Sequence, residues 1–312
     1  MTTRPTFPLA RLLTPLLATT VVLAAASLPA QAQQLAGTLQ KVKDKGVIVM
    51  GTRDSSAPLA FTLGGGQYTG YHVELCQKVI DSIKAKIAAP ALRTEYTLVT
   101  SQNRIPLVEN GTVDIECGST TNNAARQNQV AFGLTTYVTE VRMAVKANSG
   151  LTSINQLAGK NVATTTGTTS VQHLRKHERA ASIDFKEVYG KDHSDSFLLL
   201  ESGRADAFVM DDNILAGNIA NAKNPKDFVI AGEVLSVEPI AVMFRKNDPQ
   251  FKAAVDDAIR AMMRSGELDK LYAKWFTSPI PPRNSNLNMP MGGTLKALIA
   301  NPNDNPMEAY AK

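Results

Sequence analysis

A helix–turn–strand unit that leads into a dense polar loop, residues 101–126, restricts the fold of this chain more than any other stretch. Apolar and polar residues alternate from Val113 to Cys117, as in a strand with one buried face, and Gly111 marks the turn before it. The strand is followed by a run of hydrogen-bond donors: Ser119, Thr120, Thr121, Asn122 and Asn123. Arg126 lies one turn further. Ligands of open α/β sheets bind beyond the carboxyl ends of strands, so this loop predicts a site for an anion.

A second copy of the unit lies 92 positions further along the chain. The corresponding pairs are Ser101 and His193, Arg104 and Ser196, Glu109 and Glu201, Gly111 and Gly203, Asp114 and Asp206, and Ser119 and Asp211. Two similar lobes that face one ligand would place their polar residues in this way, and a chance likeness of two such units is the alternative. The first copy carries Arg104 and Arg126, whereas the second ends in Asp211, so a zwitterion held between them would match both.

The elements around these units predict the α/β class. Residues 47–50 form a continuous apolar run of the kind found in buried parallel strands, and a helix over 71–87 and a strand over 94–100 follow it. This β-α-β order is typical of an α/β lobe. Two extended runs, residues 137–146 and 237–244, are placed to carry the chain from one lobe to the other and back.

Further polar residues follow other predicted strands. Arg53 follows the strand at 47–50, which places it beside the polar loop if the sheet is parallel; a solvated surface arginine is the alternative. Residues 165–170 supply five hydroxyls and a glycine at a helix N-terminus, more than capping uses, and so predict an anion cradle that includes Thr165 and Thr168. A lone histidine is more often structural, but His193 corresponds to Ser101 in the repeat and is a candidate ligand contact.

Two cysteines are present, Cys76 on the apolar face of the helix over 71–87 and Cys117 on the central strand. Both are expected to point into one core, where a disulfide and two free thiols acting as small hydrophobes are the alternatives. We expect the disulfide. Without nearby histidine pairs the cysteines do not predict a metal site, and we expect neither a metal nor a cofactor.

Length and charge narrow the class of protein. A chain of 312 residues more often holds two domains than one. The formal charge of +5 is mild, and basic and acidic residues are interspersed, so we expect no nucleic-acid partner.

The N-terminal residues 1–32 have the pattern of a secretory signal peptide. Arg4 and Arg11 precede an apolar stretch over 12–28, and Ala30 and Ala32 fit a signal-peptidase site. Cleavage is expected after Ala32. A transmembrane anchor is the alternative, but the apolar stretch barely reaches the length needed.

Several short segments together carry a family resemblance: SQNRIPL at 101–107, ECGSTTNN at 116–123, TTGTTS at 165–170, KDHSDSF at 191–197, MDD at 210–212, KWF at 274–276 and PIPP at 279–282. The chain resembles the family 3 solute-binding proteins of ABC importers, within them those for glutamate and aspartate. The resemblance implies a two-lobed type II periplasmic binding protein fold, each lobe a mostly parallel sheet flanked by helices, with two crossover strands as a hinge. Lobe 1 would be residues 33–139 plus 241–312, and lobe 2 residues 140–240.

The resemblance also implies roles for the polar residues. Arg126, with Ser119, Thr121 and the cradle that includes Thr165 and Thr168, would hold the ligand α-carboxylate. Asp211 would accept from the α-ammonium. The ligand side-chain carboxylate would be received by Arg53, Ser101, Arg104 and His193, the last of them in its neutral or its protonated form. The expected protein is a periplasmic monomer that captures L-glutamate or L-aspartate between closing lobes and delivers it to an inner-membrane ABC permease.

Two other functions fit parts of the sequence. Ser119, His193 and Asp211 can be drawn as a nucleophile triad, and some relatives of this fold are dehydratases, but no G-x-S-x-G elbow is present. A sensor's ligand module is the other alternative. We expect a binding protein and not an enzyme.

Overall fold

The computed structural model describes residues 1–6 and 34–310. Most of the predicted signal peptide, with its cleavage site, falls on residues 7–33 and therefore lies outside the described residues. Among the residues that are described, no helix is both long and apolar enough to cross a membrane.

The chain alternates between strands and helices. The helices are α1 Gly37–Lys45, α2 Tyr71–Lys86, α3 Arg104–Glu109, α4 Ala124–Gln127, α5 Thr169–Ala181, α6 His193–Glu201, α7 Asp212–Asn221, α8 Pro249–Ser265, α9 Glu267–Phe276 and α10 Gly293–Ala300, with 3-10 turns at Ile154–Leu157, Pro225–Asp227 and Met307–Ala309. The strands are β1 Val47–Thr52, β2 Ser55–Ser56, β3 Ala60–Gly64, β4 Gln67–Thr69, β5 Arg93–Leu98, β6 Ile115–Glu116, β7 Val130–Phe132, β8 Tyr137–Lys146, β9 Asn161–Thr165, β10 Lys186–Gly190, β11 Ala207–Asp211, β12 Phe228–Ile240, β13 Met243–Arg245, β14 Pro279–Ile280 and β15 Ser285–Asn286.

Two five-stranded sheets organise these elements, and they have the same design. The first has the strand order β5-β1-β6-β13-β7, and the second has the order β10-β9-β11-β8-β12. In each sheet one strand, β13 or β8, is antiparallel to both its neighbours, so the other four point the same way. The α3–β6 unit of the first sheet and the α6–β11 unit of the second are the two copies recognised in the sequence.

The helix α2 shows how the first sheet acquires its core. Its residues Val73, Cys76, Val79, Ile80 and Ile83 recur at helical spacing and are all buried. They join one hydrophobic cluster with residues from α8 and α9. The second sheet is covered on both faces by smaller clusters, one with α6 and α7 and the other with α5. Buried parallel strands need apolar cover on both faces, which explains the continuous apolar runs in the sequence.

The two crossover strands pair with each other in antiparallel register, with Tyr137 of β8 opposite Ile240 of β12. The first crossover agrees with the predicted run over residues 137–146. The second differs from the prediction of residues 237–244, because β12 already begins at Phe228, where it extends the edge of the second sheet, and a break separates it from β13. We call the part of the molecule built on the first sheet the first half, and the part built on the second sheet the second half. Tyr137 stacks on Phe276 of α9 with ring centroids 4.7 Å apart, and this contact attaches the crossover strand to the first half.

A disulfide joins Cys76 of α2 to Cys117, the residue that follows β6, with an S–S distance of 1.97 Å. Both cysteines are fully buried in the core cluster of the first sheet. The bond ties the helix to the end of the strand from which the polar loop departs.

Candidate functional site

The polar residues singled out in the sequence converge where the carboxyl ends of the parallel strands of both sheets face each other. A very small cavity there, of about 10 Å³, is lined by Ser101, Arg104, Ser119, Thr121, Thr168, Thr169, His193, Met210 and Asp211. Arg53, Thr165 and Arg126 directly contact members of this set. The structure thus brings all ten predicted site residues together. The positions follow from the topology, because parallel strands end at the same edge of a sheet.

Arg53 leaves β1 and is fully buried between the two halves. Its Nη1 donates to Ser119 Oγ at 3.3 Å, and its Nη2 donates to Ser101 Oγ at 3.1 Å and to Asp192 Oδ1 at 2.5 Å. Asp192 precedes α6 and caps its first backbone N–H. Burial alone would raise the pKa of Asp192, but Arg53 and His193 together more than offset this and lower it. Asp192 is therefore the counter-charge of Arg53, and the sequence analysis did not predict this ion pair.

His193 lies against Arg53, and this contact sets its tautomer. Arg53 Nη2 is 3.3 Å from His193 Nε2, and because an arginine only donates, Nε2 is the acceptor. The proton is then on Nδ1, which donates to Thr165 Oγ1 at 3.0 Å. Burial, followed by Arg53, lowers the pKa of His193 to about 3. The suggestion that His193 is protonated is therefore wrong, because at neutral pH it is a neutral support for Arg53.

Arg104 begins α3 and reaches the cavity with 2% of its surface exposed. Its Nη1 donates to the backbone oxygen of Ser119 at 3.0 Å, and its Nε is buried without a hydrogen-bond partner. Among the described residues no ion pair links Arg104 to a carboxylate. Burial, with a further contribution from the nearby Arg126, lowers its pKa to about 9, so it is charged at neutral pH.

Arg126 lies on the single turn of α4, which Asn123 caps by accepting from the Arg126 backbone N–H at 2.8 Å. Its Nη1 donates to the backbone oxygen of Thr121 at 2.9 Å, and its Nη2 reaches the backbone oxygen of Gly167, from the second half, at 3.5 Å. Burial lowers the pKa of Arg126. In the described chain it too has no carboxylate in an ion pair.

Asp211 ends β11 and points into the cavity with 2% of its surface exposed. Its Oδ1 has no hydrogen-bond partner. Burial, and then the neighbouring carboxylates of Glu238 and Asp212, raise its pKa well above the ordinary value. A cation placed at this oxygen would favour the ionised carboxylate and so lower the pKa of Asp211.

Glu238 is a buried acid that the sequence analysis missed. It accepts hydrogen bonds from Thr121 and Thr169, and His173 lies 2.9 Å from its other oxygen. A lone carboxylate within the predicted extended run was the signal that could have identified it, since a buried acid in a strand needs donors.

The triad arrangement is not formed. Ser119 Oγ contacts Arg53 and Ser56, whereas His193 contacts Arg53 and Thr165. No hydrogen bond of the described residues joins Ser119 to His193 or His193 to Asp211, so the base is not aligned with the nucleophile.

Comparison with known proteins identifies the class. The profile of the bacterial extracellular solute-binding proteins, family 3, matches residues 48–278, and the chain belongs to this family. It is 47% identical over 295 residues to the L-glutamate/L-aspartate-binding protein of Pseudomonas aeruginosa, covering 94% of this chain and 97% of that protein. It is 43% identical to the glutamate/aspartate import solute-binding protein of Escherichia coli, covering 86% and 88%.

Solved structures share the fold. ArgBP from T. maritima, solved as a mutant, aligns with a TM-score of 0.68 and 26% identity, covering 77% of this chain and 99% of that one. The ancestral amino acid-binding protein AncCDT-1, a precursor of cyclohexadienyl dehydratase, aligns with a TM-score of 0.67 and 26% identity, covering 77% and 100%. The family resemblance and the type II periplasmic binding protein fold expected from the sequence are confirmed. The close relatives are solute-binding proteins, so an enzyme is not favoured.

Proposed function

We propose that this protein captures an acidic amino acid, L-glutamate or L-aspartate, between its two halves and delivers it to an ABC permease. One observation carries the proposal: among the described residues, Arg104 and Arg126 have no carboxylate in an ion pair, and Asp211 has an unpaired oxygen. Two buried cations and one buried acid are the complement of a molecule with two carboxylates and one ammonium. Buried charges are stable only when paired, so such a ligand would satisfy all three. The names of the close relatives support the same ligands.

The contacts support a division of roles. Arg126, with Ser119, Thr121, Thr165 and Thr168, would bind the α-carboxylate, and Asp211 would accept from the α-ammonium. The side-chain carboxylate would be bound by Arg104, together with Arg53 and Ser101. Arg53 already pairs with Asp192, so Arg104 is the cation with most of its charge available. His193 would act through Arg53, since its Nε2 accepts from that guanidinium.

We infer that residues 33–139 plus 241–312 act as one lobe and residues 140–240 as the other. Contacts between them close the cavity: the Ser194 backbone N–H donates to Ser55 Oγ at 3.2 Å, and Arg53 pairs with Asp192. A ligand would enter only when the lobes separate, with the crossover strands as the hinge. The signal pattern supports export to the periplasm with cleavage after Ala32, and the protein would act there as a monomer with an inner-membrane permease.

Calorimetric titration of the refolded mature protein tests the proposal. We expect glutamate and aspartate to bind, and glutamine and asparagine to bind roughly 30-fold to several thousand-fold more weakly. The amides have nearly the same shape, but they leave Arg104 desolvated without a counter-charge and turn an NH2 donor toward donors. Arginine is a useful control ligand, because a cationic side chain would face Arg104. Equal affinity for glutamate and glutamine would contradict the proposal for acidic ligands.

A further inference from the structure

Glu238 connects the two halves of the molecule beside the cavity, and none of the ligand roles proposed above uses it. It lies on β12, opposite Thr139 of β8, two residues before β12 ends at Ile240. Its side chain is fully buried. A buried carboxylate is tolerated only where donors surround it, so its partners indicate what it does.

One oxygen of Glu238 bonds to both halves at once. Its Oε2 accepts from Thr121 Oγ1 at 2.6 Å and from Thr169 Oγ1 at 2.8 Å. Thr121 belongs to the polar loop after β6, in the first half, and Thr169 begins α5, in the second. The two hydroxyl oxygens are 3.3 Å apart, so the two halves meet at this carboxylate, beside the backbone pairing of Thr121 with Ile240.

The other oxygen, Oε1, lies beside α5 and makes no hydrogen bond of acceptable geometry with any described residue. His173 Nε2, one turn beyond Thr169, is 2.9 Å from Oε1. Burial alone would raise the pKa of Glu238, but the nearby His173, together with the hydrogen bonds from Thr121 and Thr169, more than offsets this and lowers it. Hydrogen bonds to an ionised acceptor are stronger than those between neutral groups, which favours a firm contact.

The same contact supports the proposed ligand cation. The backbone oxygen of Thr121 accepts from Arg126 Nη1 at 2.9 Å, so holding the Thr121 loop also orients Arg126. Gly167, whose backbone oxygen lies 3.5 Å from Arg126 Nη2, precedes Thr169 by two residues.

We propose that Glu238 is a positioning residue and a closure latch, whose carboxylate joins the Thr121 loop to α5 when the two halves close and thereby slows ligand release. The effect on release rests on the proposed function. The latch itself rests on the contacts between the halves.

Release of radiolabelled glutamate from preloaded protein tests the latch. Glu238→Gln and Thr169→Val should each release the label about tenfold faster than wild type, because each weakens a charge-assisted hydrogen bond. Glu233→Gln is the matched control: it lies on the same strand, and its partners Ser153 and Ile154 belong to its own half, so release should not change.

The direction of the change separates a latch from a purely electrostatic role. Removing the charge of Glu238 alone would leave Arg126 with less counter-charge and would strengthen the binding of a carboxylate. Slower or unchanged release in Glu238→Gln would therefore overturn the latch. The double variant Glu238→Gln/Thr169→Val should be no faster than Glu238→Gln alone, since both changes break one contact, and strictly additive effects would contradict the shared contact.

Hydrogen exchange of the ligand-free protein tests the latch without reference to the ligand. Amides of residues 119–122 and of residues 167–170 should both exchange faster in Glu238→Gln than in wild type or Glu233→Gln. Acceleration on one side only, or on neither, would contradict a latch between the halves. If the wild type retains neither glutamate nor aspartate, the proposed function fails, and the exchange result still decides the latch.

Discussion

At the scale of single residues, the site consists of charged groups that are buried before any ligand is present. Arg53, with its partner Asp192, is balanced within the protein, whereas Arg104, Arg126 and Asp211 are not. Such groups reduce the stability of the ligand-free protein, because no counter-charge offsets the free energy that it costs to remove them from water. This cost is typical of binding sites, where the ligand supplies the missing partners.

Asp211→Asn is expected to abolish binding and to stabilise the ligand-free protein. Loss of one partner of a buried charge pair costs roughly 2 to 5 kcal/mol of binding free energy. The raised pKa of Asp211 means that its contribution to stability is present at low pH and is lost as the pH rises through that pKa. The gain in unfolding free energy over wild type should thus be larger at neutral than at acidic pH, as measured by denaturant titration. Wild-type affinity in Asp211→Asn would refute the assignment.

Arg104→Ala is expected to reduce the discrimination between glutamate and glutamine. The change removes the cation proposed for the side-chain carboxylate, so the acid should lose roughly 2 to 5 kcal/mol and the amide less. Calorimetry with both ligands measures the difference. Arg93→Ala is the matched control, because Arg93 is exposed on β5. An equal loss for both ligands would show that Arg104 does not contact the side chain.

At the scale of elements, the ends of β1, β5, β6, β9, β10 and β11 supply the candidate site, and other elements hold those ends in place. The disulfide fixes the end of β6 to α2 immediately before the polar loop. On the other side of the loop, the Asn122 side chain donates to the backbone oxygen of Asp304, and the Met307 backbone N–H donates to the backbone oxygen of Asn122. The loop is therefore anchored both by the core and by the C-terminal segment.

Reduction of the disulfide is expected to lower the melting temperature. The cysteines are 41 residues apart in sequence, and a bridge of this span stabilises by roughly 2 to 4 kcal/mol in the chain-entropy model. Mass spectrometry of unreduced, denatured protein should find no free thiol. A Cys76→Ala/Cys117→Ala variant serves as the control and should not respond to reductant. Two alkylatable thiols in freshly purified protein would rule the bridge out.

At the scale of the whole molecule, the two halves meet along a tight interface outside the cavity. Gly217 of α7 lies so close to Ala57 of the first half that an added Cβ would be 2.4 Å from the Ala57 backbone oxygen. A backbone atom cannot move aside as a flexible side chain does, so this glycine permits the closed arrangement.

Gly217→Ala is expected to weaken binding without unfolding the protein. Alanine favours the helix, so α7 should be no less stable, but closure would meet an overpacked contact that costs roughly 1 to 3 kcal/mol. Glutamate affinity by calorimetry and the melting temperature of the ligand-free protein measure the two effects. Gly293→Ala in α10, where nothing lies within 4 Å of an added Cβ, is the control. Unchanged affinity in Gly217→Ala would show that binding does not require this contact.

The sequence by itself determined the fold class and the repeated unit, and it indicated which polar residues would lie together at the candidate site. These features depend on local patterns: the alternation around Val113, the helical spacing on α2 and the polar residues that follow each strand. Strand ends in a parallel sheet converge whatever the details of packing, so Ser101, Arg104 and Asp211 could be brought together from the sequence alone.

Only the tertiary structure decided which charges are paired and which are free. Arg53 meets Asp192 across 139 positions of sequence, and Glu238 meets Thr121 across 117, distances over which no local pattern predicts a partner. The protonation of His193 depends on its complete burial beside Arg53, and the early start of β12 depends on its pairing with the edge of β8. Burial and long-range pairing are properties of the packed chain, because the dielectric environment and the nearest counter-charge exist only after the two halves are assembled.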